Sequence, residues 1–151
     1  MYFNPQYFLE LAKQLYTDQD YEHINEAAFR TAISRAYYAT FLIFREKIRN
    51  RLKNTSLMEK FNEVSEKGVA HACIKKIIKR TEGFLGEMYS RLLLLRKISD
   101  YELNVTIMDK DAEEAVEIAA ELIKFSEQIR ERIKINQISN IIDLYYNKIR
   151  K

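Results

Sequence analysis

The chain has no tryptophan, a single proline, three glycines and a single cysteine among its 151 residues. So little proline and glycine leaves few places where a helix must stop, and the abundance of Lys, Glu, Leu, Ile and Ala favours helix throughout. The expected class is all-α. Cys73 has no second cysteine with which to close a bridge in the same chain, which fits a reducing compartment, so the expected location is the cytoplasm. No apolar stretch approaches the roughly eighteen residues of a membrane span, and no charged start followed by an apolar block reads as an export signal. A soluble protein with no membrane partner is expected. At 47% hydrophobic residues the chain holds enough apolar material for one real core.

A net charge of +3 is too small to argue for nucleic acid, but its distribution is uneven. Residues 1–26 set Glu10, Asp18, Asp20, Glu22 and Glu26 against Lys13, whereas 27–53 set Arg30, Arg35, Arg45, Lys47, Arg49, Arg51 and Lys53 against Glu46. Acidic and basic regions of that kind either steer an anionic partner or are the solvated faces of charged helices. The crowding of Asp18, Asp20, Glu22 and His23 matches no metal-ligand spacing, and neither a metal nor another cofactor is expected.

The chain is organised around one long helix expected from Asn25 to about Arg51. Phe29, Ile33, Tyr37, Phe41, Phe44 and Ile48 fall on one face, with a second, alanine-rich stripe through Ala28, Ala32, Ala36 and Ala39 beside it. So wide an apolar arc requires neighbours on two sides, and its excess over one bundle predicts a dimer. Before it, Pro5 opens a short amphipathic helix that faces inward through Phe8, Leu11, Ala12 and Leu15. After it come a short helical piece over 57–66 and a helix entered at Gly68 with Ala70, Ile74, Ile77 and Ile78 on one side and Lys75, Lys76, Lys79 and Arg80 mostly on the other. That basic side reads as phosphate-binding charge or as a solvated face. His71 lies beside the apolar stripe and reads first as a structural histidine.

A loop is expected around 81–86, then a helix from Glu87 towards Glu102 that the four leucines 92–95 should bury nearly all round. Arg96 emerges from that apolar setting and needs a carboxylate, for which Asp100, one turn on, is the obvious choice. Asp109 or Asp111 caps a last long helix from Ala112 to about Ile133. Residues 137–151 form an amphipathic tail that either completes the bundle or projects to a second subunit. The organisation expected is thus a bundle of about five to six helices in all, with the bundle domain over 1–135 and a C-terminal helix over 136–151 packed on the bundle or on a partner.

Three blocks together resemble the HEPN domains, in particular their small stand-alone group. The first is the segment AISRAYYATF, with Ala32, Ser34, Arg35, Ala36, Tyr37, Tyr38, Ala39 and Phe41; the second is Lys67-Gly68-Val69; the third is Leu92, Arg96, Asp100 and Tyr101 in RKISDY. The similarity spans roughly 5–130. It implies an antiparallel helical bundle, often a homodimer, acting in RNA-linked or defence-linked roles, in this group often as the toxin-like half of a pair with a small nucleotidyltransferase. Many HEPN proteins are metal-independent ribonucleases that use an arginine and, four to six residues later, a histidine at a dimer cleft. Arg96 matches the arginine, but positions 100–102 are Asp100, Tyr101 and Glu102, with no imidazole. Three functions follow as expectations. The first is a dimeric binding module for RNA or a nucleotidyltransferase, in which Arg35, Tyr38, Arg96 and Asp100 form a structural cluster. The second is a ribonuclease using Arg96 with Tyr101 or with His71, and the third is a helical scaffold without nucleic-acid contact.

Overall fold

The computed structural model describes residues 3–18 and 22–151. Among these residues there is no strand. The elements are α1 (Gln6–Thr17), a single 3-10 turn (Glu22–Ile24), α2 (Asn25–Arg51), α3 (Met58–Ser65), α4 (Ala70–Thr81), α5 (Gly83–Tyr101), α6 (Asp109–Arg132) and α7 (Ile135–Ile149). The protein is all-α, with seven α-helices among the described residues where about five to six were expected. They fall into two compact helical units: Met1–Ile43 with Ser90–Lys124, and Phe44–Tyr89 with Phe125–Lys151.

In the first unit the N-terminal helix starts where Pro5 predicts, and the Asn4 side chain accepts the Gln6 N–H (3.0 Å). Its inward residues are Leu9 and Ala12, however, with Phe8 and Leu15 half-buried and Leu11 exposed, so the face is rotated from the one expected. The α2 residues Ala28, Ala32, Ile33, Ala36, Tyr37, Ala39 and Phe41 are buried, so both stripes of this helix are covered within the chain. On α6, Ala112, Ala115, Val116, Ala119 and Leu122 are buried. At the start of α6 the Asp111 carboxylate, inside the first turn, reaches back to accept the Met108 N–H (2.8 Å), half of a capping box.

In the second unit α3 and α7 pack together, as do α4 and α7, and Ile138, Ile141, Ile142 and Tyr145 bury the inner face of α7. Arg49 of α2 donates to Asn62 (3.0 Å) and Ser65 (3.1 Å) and so fastens α3, while Arg51 donates to the Ile133 carbonyl (3.0 Å) just past the end of α6. Asn54, in the turn that leaves α2, has φ of 64°, a left-handed conformation that asparagine tolerates better than most side chains.

Two expectations along α5 are corrected. The helix begins at Gly83, and Glu82 alone, in extended conformation, separates it from α4. The stretch expected to be a loop because it holds Gly83 and Gly86 is the first turn of α5. A Cβ on Gly86 would sit 2.5 Å from the Lys79 Cα, so this glycine permits close approach between the ends of two helices rather than a turn. Nor is α5 buried all round: Leu92, Leu93 and Leu95 are buried, but Leu94 is 48% exposed, on the same side as Glu87 and Arg91.

Candidate functional site

In the first unit Arg96 is held between α2 and α5. Its side chain is 12% exposed, with Nε 2.9 Å from Asp100 Oδ2. The N–H is not aligned on that oxygen, so the contact works as a charge pair rather than a directed hydrogen bond. Arg96 Nη2 donates to Tyr38 Oη (3.3 Å), and the guanidinium lies 5.7, 5.5 and 5.6 Å from the ring centres of Tyr37, Tyr38 and Tyr101. Burial is the largest single influence on this guanidinium and opposes its charge. Tyr38, Asp100, Tyr101 and Tyr37 together outweigh it, so the proton is held more firmly than usual.

Arg35 joins through the same Tyr38 ring, its guanidinium 5.0 Å from that ring and 5.1 Å from the ring of Phe8 on α1. The four residues Arg35, Tyr38, Arg96 and Asp100 therefore stand together, linked through the Tyr38 ring and hydroxyl. Tyr101 stands with them and is 68% exposed. Helix periodicity explains most of the arrangement: Arg35 and Tyr38 are one turn apart on α2, as are Arg96 and Asp100 on α5. The positions of a proton donor and acceptor around Arg96 are thus filled by a carboxylate and phenols. His71 belongs to the second unit, half-buried on α4. His23 is exposed, in the 3-10 turn.

A second arginine beside the cluster was read from sequence only as part of a basic run. Arg30 donates from Nη1 to the Ser99 (2.8 Å) and Ile98 (3.4 Å) carbonyls and from Nη2 to those of Glu102 (3.1 Å) and Val105. The Ser99 carbonyl is one that the end of α5 leaves without a helical partner, while Glu102 and Val105 lie in the connection just beyond, so Arg30 caps α5 and places positive charge at its negative pole. Glu26, one turn earlier, accepts from Arg30 (3.1 Å) and from the Ile107 N–H (3.0 Å). Those two hydrogen bonds, the backbone one foremost, hold its carboxyl below the usual range. A third connection, Arg91 of α5 to Glu114 of α6, is bidentate at 2.7 and 2.9 Å.

No three of His, Cys, Asp and Glu converge among the described residues in a way that would hold a metal. Asp20, in the acidic stretch before α2, lies outside the described residues. Cys73 is fully buried on α4, and burial pushes its thiol up to about 12, so it is inert as a nucleophile. Among the described residues no helix is long and apolar enough to cross a membrane.

The chain is similar to the uncharacterized protein MJ0628 of Methanocaldococcus jannaschii, at 29% identity over 147 residues, covering 92% of this chain and 87% of that one. No family model matches the chain. No solved structure matches it either.

Proposed function

We propose that the protein is a HEPN-like binding module that forms a homodimer and engages RNA or a protein partner, such as a small nucleotidyltransferase, without cutting nucleic acid. The observation that carries this reading is the enclosure of Arg96. Its charge is met by Asp100, the Tyr38 hydroxyl and three aromatic rings, with 12% of the side chain open to solvent. A guanidinium so committed ties α2 to α5. To serve a scissile phosphate it would have to give up those contacts, and no imidazole stands four to six residues on to move the ribose proton.

The test is incubation of the purified protein with labelled single-stranded RNA in chelator. Expected is retention of RNA that weakens steeply with added salt, as phosphate contacts release counterions, and no cleavage. Arg96→Ala should lower stability by about 2 kcal/mol, below the roughly 3–5 kcal/mol for breaking a fully buried ion pair because both partners retain some solvent, and leave no cleavage to lose. Chelator-resistant cleavage that Arg96→Ala abolishes while the variant stays folded would overturn the proposal. It would favour the ribonuclease reading, for which the specific support is Tyr101, an open phenol beside the guanidinium. RNA retention indifferent to salt, or absent, would favour the helical scaffold without nucleic-acid contact.

A further inference from the structure

The basic side of α4 takes no part in the Arg96 cluster, and what it does rests on separate observations. In the second unit Lys76, Lys79 and Arg80 line a cavity of about 440 Å³ together with Asn140, Ile141 and Leu144 of α7. Volumes of this order suit a small ligand. The lining holds three cations, a neutral amide and two aliphatic side chains, and no carboxylate.

Cations in the last turn of a helix often do no more than complement its dipole, and Lys79 and Arg80 stand in that turn. That explanation omits three features. Lys76 lies a turn earlier, above the Tyr145 ring of α7 at 5.5 Å. Arg80 reaches across to α7, where Nη1 donates to the Gln137 carbonyl (3.5 Å). Leu144 remains 46% exposed on the cavity wall, although its neighbours Ile142 and Tyr145 are buried. Lys79 is paired with Glu87 (3.0 Å), but among the described residues neither Lys76 nor Arg80 has a carboxylate at salt-bridge distance. Two cations braced by α7 and short of counter-charge thus share a concave site with an apolar wall.

We propose that this cavity binds a small phosphate monoester. The phosphate lies on Lys76, Arg80 and the Asn140 amide, and the esterified carbon group lies on Ile141 and Leu144. A monoester carries close to two negative charges at neutral pH, which matches two free cations, and the guanidinium fork suits its oxygens. A carboxylate would satisfy one cation only, and a polyanion would need a row of cations along an open face rather than a pocket of this size.

The experiment is calorimetric titration of the full chain with phenyl phosphate, inorganic phosphate, phenol and a short single-stranded RNA. Phenyl phosphate should bind saturably and about tenfold or more tighter than inorganic phosphate or phenol, a gap of one decade per 1.4 kcal/mol. Affinity should rise between about pH 5 and about pH 7.5, as the ester gains its second charge. Arg80→Gln and Lys76→Gln should each weaken phenyl phosphate and inorganic phosphate alike. Leu144→Ser should remove the preference for phenyl phosphate and leave inorganic phosphate unchanged, whereas Lys53→Glu, at an exposed position outside the cavity, should change neither. All these side chains are solvent-exposed, and unaltered helical circular dichroism shows that each variant folds. Equal affinity for phenyl phosphate and inorganic phosphate, or indifference to Leu144→Ser, would overturn the site and leave a plain basic face. RNA binding lost in Arg80→Gln without any phenyl phosphate binding would overturn it in favour of a polyanion surface.

Discussion

The side chains that matter most in the first unit are arginines, each answered differently. Arg96 is enclosed and half-answered by one carboxylate; Arg30 is answered by backbone carbonyls; Arg91 is answered in full by Glu114 at the surface. The Arg91 hydrogen bonds hold the Glu114 carboxyl below its ordinary value of 4.5, and the opposing effect of its burial is smaller. A carboxylate with a depressed folded-state pKa stabilises the fold at every pH above its unfolded value, and that contribution disappears as pH falls through the folded value. Glu114→Gln should therefore melt below the parent at pH 7, and the two melting curves should converge as the pH drops from about 4.5 towards 2.5. Both side chains are well exposed, so the gap at pH 7 should stay under about 1 kcal/mol. Paired thermal melts over that range check it, and a gap that persists at the acid end would show that Glu114 acts through packing rather than charge.

At the scale of elements, the junction of α4 and α5 shows how one residue type misleads when read by sequence alone. Gly83 and Gly86, three residues apart, look like loop punctuation. Gly83 has open space around it, while Gly86 is pressed against the Lys79 backbone. The expected consequences are opposite. Gly83→Ala should be neutral or mildly stabilising, within about 0.5 kcal/mol, because alanine gains helix propensity at no steric cost. Gly86→Ala should cost about 1–3 kcal/mol, since the new methyl meets main chain that cannot rotate away. Denaturant midpoints of the two variants check the pair; a stabilised Gly86→Ala would mean that the helix ends do not lie this close.

The same contrast marks what was legible. Amphipathic spacing fixes α2, α4 and α6 and the pairing of Arg96 with Asp100, because all of these are relations within one helix, three or four residues apart. The short Met58–Ser65 helix and the burial of Ala112, Ala115 and Ala119 were legible for the same reason. Arg30 capping α5 was not, since its acceptors are backbone carbonyls about 70 residues away that carry no signature in the side-chain sequence. The rotated face of α1 and the outward Leu94 were missed because apolar residues on a helix surface need not all face inward. Phe8 beneath Arg35 had no sequence signal at all, whereas Tyr38 beside Arg96 was suggested only by the family resemblance.

For the molecule as a whole, the question is where a second copy would attach. The wide apolar arc of α2, the feature from which a dimer was expected, is covered within the chain, so it offers no surplus. The exposed apolar side chains of the first unit lie elsewhere. Tyr7 and Leu11 lie four residues apart on the outer side of α1 and Phe3 precedes the helix, 56%, 43% and 59% exposed, and Leu103, Val105 and Met108 are exposed in the connection that leads to α6. Removing such side chains from water gains roughly 25 cal/mol per Å² of apolar surface, and a stripe on one helix pairs naturally with its own copy about a two-fold axis. If α1 carries the self-association, light scattering at micromolar concentration should give twice the chain mass, and Tyr7→Asp with Leu11→Asp should return it to the single-chain mass with helical content unchanged, since neither residue is in the core. Dimerisation that survives both substitutions would move the interface away from α1. A single-chain mass for the parent protein would remove the dimer altogether and leave the stripe as the landing surface for a different protein.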